Sequence, residues 1–254
     1  MLRSLTFLLS LFMLSCNNDD PKGTISYPVS FAFTQTVGGG QLMTNSLNYT
    51  NAAGNTFSVE KLQYIISDVT LHKKGGGSTI IDEYHFVDIA NASTLTFNAG
   101  ILLEEGIYDR LSFVFGLKED KNISGVHTDL NALSWSWPDA LGGGYHFMKL
   151  EGRYIDTLAN TSSYTTHMGT AREITAVDTT FHVNYIHIDL SNVEINISSE
   201  TTIDIEMDVL NWYENPYTWD FNLLNTMIMP NYEAQINLRN NGQNVFSIGQ
   251  VHSN

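Results

Sequence analysis

The stretch Val193-Glu-Ile-Asn-Ile-Ser-Ser-Glu-Thr-Thr-Ile-Asp-Ile-Glu-Met-Asp-Val209 decides the fold class. Val193, Ile195 and Ile197 alternate with Glu194 and Asn196; Ile203, Ile205, Met207 and Val209 alternate with Asp204, Glu206 and Asp208. A period of two puts the apolar set on one face of a strand and the polar set on the other. Two such runs across Ser198-Ser199-Glu200 predict a hairpin. The same period recurs outward along the chain. Val29, Phe31 and Phe33 alternate with small or polar residues, and so do Ile107, Leu111, Phe113, Phe115 and Leu117, with Asp109 in the apolar phase. Lys61 to Lys73 reads as a longer strand whose phase shifts at Ile65-Ile66, the mark of a bulge. Gly75-Gly76-Gly77 then turns the chain into a strand over Thr79–Val87. No window carries a helical period with caps; short helical hints lie at Val209–Tyr213 and Trp219–Met229. Roughly ten short strands separated by turn signals predict an all-β chain folded as an antiparallel β-sandwich. Lys118–Gly144, with Trp135 and Trp137, is predicted as one long loop, and loops of that length are often functional.

Composition narrows the function. The 254 residues hold 27 Asp and Glu against 12 Lys and Arg, a formal −15. Such a chain repels phosphate backbones, which excludes nucleic acid as a partner. At 43% hydrophobic residues the chain can build a core. Many of the acids fall on the polar phase of strands and are read as solvated faces. The single cysteine, Cys16, excludes an internal disulfide and a thiolate-rich metal site.

The N-terminus reads as an export signal. Arg3 precedes the mostly apolar run Leu5–Leu14, too short to span a bilayer. Ser15-Cys16 closes that run as a relaxed lipobox, which makes Cys16 the expected lipid anchor. Residues 1–15 are then a signal peptide, 16–24 a tether and 25–254 the folded domain. Cleavage removes Arg3 and leaves 11 basic against 27 acidic residues, a formal −16. The expected location is the outer membrane, on its periplasmic or cell-surface side, held by lipid.

Chemical motifs are sparse. No nucleophile elbow, phosphate loop or zinc-protease helix is present, and no nucleophile, base and orienting group can be named together, so the chain is not read as an enzyme. Asp120-x-Asn122-x-Ser124-Gly125 looks like half of a calcium loop, but the position for the closing glutamate is Asn131. The eight histidines are 72, 85, 127, 146, 167, 182, 187 and 252, with none paired at helix spacing. His182 and His187 fall within an expected Phe181–Leu190 strand. Trp135-Ser136-Trp137 is either a hydrophobic plug or, if exposed, a surface for stacking on sugars.

Longer motifs in order along the chain add a resemblance. They are Val29-Ser-Phe-Ala-Phe33; Tyr49-Thr-Asn followed by Lys61-Leu-Gln-Tyr64-Ile-Ile-Ser67; Trp135-Ser-Trp137 with Gly144-Tyr-His-Phe147-Met-Lys-Leu-Glu-Gly152; Thr166-His167-Met168-Gly169; and Val245-Phe-Ser-Ile-Gly-Gln250-Val-His252. Together they resemble the MbnP family of copper-binding periplasmic and surface proteins. The resemblance implies a mononuclear copper site with imidazole ligands, a tryptophan that can be oxidised to kynurenine beside the metal, and a dihaem peroxidase-like partner. Imidazole suits copper, and the divalent affinity order peaks there. Carried over by position, His167 and His252 are the expected metal ligands, and Trp135 or Trp137 the tryptophan open to oxidation. Two further places where the family would carry histidine hold Gln35 and Gln250. His85, His127 or His146 would have to stand in for them. The competing expectation is a degenerate member without metal, a surface binding or scaffold module for a glycan or protein, working through Trp135, Trp137, Trp212 and Trp219.

Overall fold

The computed structural model describes residues 23–253. The expected signal peptide, Cys16 and most of the expected tether lie outside the described residues. Among the described residues fifteen strands run in chain order. They are β1 (Ser26–Val37), β2 (Gly40–Gln41), β3 (Tyr49–Thr50), β4 (Thr56–Phe57), β5 (Lys61–Lys73), β6 (Ser78–Asp88), β7 (Thr96–Glu104) and β8 (Gly106–Phe115). Then follow β9 (Met148–Ile155), β10 (Thr161–Met168), β11 (Ala171–Ile174), β12 (Thr179–His182), β13 (Ile186–Ile197), β14 (Thr201–Asp208) and β15 (Phe246–Ser253).

They form a five-stranded sheet, β15-β14-β1-β2 with β7 also on β1. An eight-stranded sheet runs β13-β8-β5-β9-β4-β3, with β10 on β9 and β6 on β5, and β11–β12 is a separate pair. The two large sheets pack as a sandwich. Phe33 meets Tyr64 edge-on at 6.5 Å between ring centroids, and Phe113 meets Phe246 at 5.0 Å. Each fully buried side chain of this kind contributes about 2–3 kcal/mol by leaving water.

The 193–209 stretch behaves differently from the expected hairpin. Its alternation holds: Ile195, Ile197, Ile203, Ile205 and Met207 are all buried. Yet β13 pairs with β8, while β14 pairs with β1 and β15. Ser198–Glu200 therefore crosses from one sheet to the other. Two strands facing each other across a core satisfy the same apolar pattern as two strands side by side. The β1–β14 pairing is parallel, an exception within a mainly antiparallel sandwich.

The bulge in β5 falls at Asp68, where φ is +54° and the β6 register shifts between Ser67 and Val69. Asp68 is buried and takes ion pairs from Lys118, at 2.7 Å, and from Lys121. These fasten the start of the 118–144 segment to the sheet. Val209–Tyr213 is a 3-10 turn, as the sequence hinted; the hint at 219–229 forms no helix. The longer helix, α2 (Tyr232–Asn241), lies where none was expected. Its buried face carries Gln235 and Asn241 among Ala234 and Leu238, which hides the apolar period. Gln235 donates to the His167 carbonyl at 2.7 Å, and Asn241 to the Trp212 carbonyl at 2.9 Å. The expected Phe181–Leu190 strand is broken at Val183–Tyr185, so His182 ends β12 and His187 lies on β13. Among the described residues no helix is long and apolar enough to cross a membrane.

Candidate metal centre on the outer face of the large sheet

Residues alternate between faces along a strand. Tyr64 points into the sandwich, against Phe33 of the other sheet. Its neighbours in β5, Lys61 and Gln63, therefore share the outer face. Across the ladder, Lys61 stands opposite Glu151 and Gln63 opposite Lys149. In turn Lys149 stands opposite His167 on β10. Lys149, Glu151 and His167 thus occupy the outside of the eight-stranded sheet.

The 118–147 segment roofs this face. It is not structureless: it contains α1 (Thr128–Ala132) and a 3-10 turn at Asp139–Leu141. Trp135 and Trp137 follow α1. The Trp137 amide bonds the Gly144 carbonyl at 2.9 Å, and the His146 amide bonds the Trp135 carbonyl at 2.9 Å. The residues resembling a calcium loop serve this closure. Asn122 Oδ1 accepts from the Tyr145 amide, and Ser124 Oγ accepts from the Gly144 amide. Gly144 sits at φ +84°, and a Cβ there would stand 2.3 Å from the Asn122 side chain. Gly169 answers a different need: a Cβ would lie 2.5 Å from the Trp137 ring, so the indole lies flat on bare backbone.

The roof brings His146 to His167. Their ring centroids are 5.3 Å apart at 79°. Trp137 stands edge-on to His146 at 4.9 Å, and Trp135 lies tilted to it by 51° at 5.5 Å. Each imidazole has one nitrogen held by an oxygen that can only accept. His146 Nδ1 donates to the Trp135 carbonyl at 3.0 Å. His167 Nε2 donates to Glu151 Oε1 at 2.9 Å. His146 is 6% exposed, and burial pushes its basicity down to about 3; nearby Lys149 and His167 add to the drop. The ring is therefore neutral at ordinary pH. The His167 bond, helped by Lys61 at 3.2 Å, pulls the Glu151 carboxyl down to about 2. Lys149 Nζ lies 4.6 Å over the Trp135 ring and donates to the Ser134 carbonyl. Burial lowers its pKa, as does neighbouring Lys61. A cleft of about 420 Å³ lined by Glu60, Lys61, Glu151, Ser163 and Thr165 opens beside Glu151.

Other expected site residues lie elsewhere. His252 is exposed on β15, opposite Thr202, in the five-stranded sheet, whereas His167 is in the eight-stranded one. No hydrogen bond or ring contact joins them. Gln35 and Gln250 line one cleft of about 610 Å³ with Thr34, Thr36, Asp204 and Glu206. No imidazole lines that cleft, and Gln35 Nε2 is spent on the Tyr64 hydroxyl at 3.1 Å. Oxygen donors of this kind do not fit an imidazole copper site. His85 is stacked between Phe33 and Phe97 and bonds the Thr94 carbonyl. His127 bonds the Lys121 carbonyl. Of the three candidate substitutes, only His146 meets His167. The sequence signal for it was its place in the Gly144–Gly152 motif. All four tryptophans are buried, at 0–1% exposure, so the expected aromatic platform for a glycan does not exist.

Among the described residues no group of three or more His, Cys, Asp or Glu side chains is arranged to hold a metal. His146 and His167 are a pair. Two imidazoles bound to one ion at about 2 Å per nitrogen have ring centroids about 5–6 Å apart, and the observed spacing falls in that range. What the fold and this site define is an all-β sandwich with a roofed pair of imidazoles on its outer face. The chain belongs to the MbnP family, whose sequence profile matches residues 26–230. Its fold is also similar to that of MbnP from Methylosinus trichosporium. That match has a TM-score of 0.57 at 14% identity and covers 89% of this chain and 99% of the other. No curated protein matches it by sequence.

Proposed function

We propose that this chain is a copper-binding or copper-handling protein rather than a catalyst, and that His146 and His167 are its protein ligands. The supporting observation is the convergence of two imidazoles that each have one nitrogen hydrogen-bonded to an acceptor-only oxygen. Metal-bound histidines carry that signature, because the outer bond orients the ring and leaves the second nitrogen to the ion. A neutral ring is what a soft metal needs, and His146 is neutral. When bound, copper would supply redox or transfer chemistry; the chain supplies a dry wall of Trp135 and Trp137 around the ligands. Either indole is close enough to His146 to be the tryptophan oxidised by a dihaem peroxidase-like partner. The export signal and Ser15-Cys16 support lipid anchoring at the outer membrane.

The test is anaerobic titration of the mature chain with cuprous ion against a colorimetric chelator. One equivalent should bind. His146→Ala and His167→Ala should each weaken binding at least 100-fold, and His252→Ala should leave it unchanged. Wild-type protein that binds no copper, or a His252 variant that loses it, removes this reading.

A further inference from the structure

We infer that Glu151 is the positioning residue of this site: its carboxylate holds His167 in the Nε2–H form, so that His167 offers Nδ1 to a ligand while His146 offers Nε2. The inference rests on the reading of His146 and His167 as metal ligands, and it specifies which atom of each ring is available. A carboxylate accepts and does not donate, so the 2.9 Å bond requires the proton on His167 Nε2. The backbone carbonyl of Trp135 imposes the opposite choice on His146, with the proton on Nδ1. A histidine side chain in water favours Nε2–H, so the His146 tautomer is the one the fold must enforce. Two rings of one type are thereby made unequal.

Glu151 is fixed for this task by the sheet. It stands opposite Lys61 on β5 and opposite Thr165 on β10, two residues along the strand from His167 and on the same face. Lys61 Nζ, on an exposed side chain, also bonds Oε1 at 3.2 Å, an ion pair that contributes little in water. Glu151 is also the anion beside a site with Lys149 and Lys61 close by. Without it, a bound cation would lose the carboxylate bonded to His167 and keep the two ammonium groups nearby.

The first test needs no metal. Nitrogen-detected NMR of histidine-labelled metal-free chain should show His146 as Nδ1–H and His167 as Nε2–H. In Glu151→Ala the His167 signals should move toward tautomer averaging while those of His146 stay. The second test is the cuprous titration. Glu151→Ala should weaken binding about 10–100-fold, the range for loss of an outer-shell partner. Glu151→Gln, whose amide oxygen can accept the same bond, should recover part of that loss. Lys61→Ala removes the ion pair and should bind within a few-fold of wild type, which separates positioning from simple strand stability. An Nδ1–H His167 in the wild-type chain, or Glu151→Ala binding as wild type does, overturns the inference. If wild-type chain binds no copper, the functional reading falls, and the tautomer spectra still decide what Glu151 does.

Discussion

Trp137→Ala lowers the free energy of unfolding by about 3–5 kcal/mol, the range for removing a buried tryptophan. The ring is 1% exposed, with the Gly169 backbone close against one face and His146 at its edge. Its Nε1–H donates to the Leu141 carbonyl at 3.2 Å, so truncation also leaves a buried acceptor unpaired. The neighbours cannot refill the space, because Gly169 has no side chain and His146 is held by Trp135. Urea denaturation of the metal-free chain measures the loss. Leu223→Ala, at a side chain 80% exposed, is the control and should change stability by less than about 0.5 kcal/mol. Gly169→Val should be destabilising in the same region for the opposite reason, since a Cβ at 2.5 Å from the ring forces overpacking. A Trp137→Ala loss under about 1 kcal/mol would mean the roof is not packed onto the sheet as described.

The metal-free chain loses stability as pH falls from about 6.5 toward 3 because of His146. In the unfolded chain this imidazole takes a proton near pH 6.5. In the folded chain burial delays protonation to about 3. Between those values the unfolded state binds the extra proton, so stability drops with falling pH. At pH 4 the one group accounts for about 3 kcal/mol. Glu151 acts in the same direction lower down, since its carboxyl is ionised to about 2 when folded against 4.5 unfolded. That contribution is present above 4.5 and fades as pH falls toward 2. The His146→Gln variant isolates the histidine. Its stability measured from pH 7 to pH 4 should fall less steeply than that of wild type. Parallel curves would show that His146 is protonated as readily folded as unfolded.

Much of the fold was legible because strand periodicity is a local property. Lys61–Lys73 appears as the strand β5 over those same residues, and Val29, Phe31 and Phe33 all face the core. The class, all-β and sandwich-like, follows from many such runs. α2 was not legible, because its buried positions bind backbone carbonyls through Gln235 and Asn241 instead of packing apolar groups. The candidate site was half legible. His167, Trp135 and Trp137 stood out as motif residues, and the structure gathers all three around His146. His252 stood out equally and lies in the other sheet.

By itself the sequence determined which residues face inward, where the chain turns and which family it resembles. Only the tertiary structure decided that Val193–Ile197 and Ile203–Val209 part into opposite sheets, and that His146 rather than His252 meets His167. The physical reason is the same in both cases. An alternating strand states which face is apolar, but its backbone hydrogen bonds accept any neighbouring strand of compatible register. Which strand lies beside which, and which loop then closes over the outer face, is set by packing of the whole core.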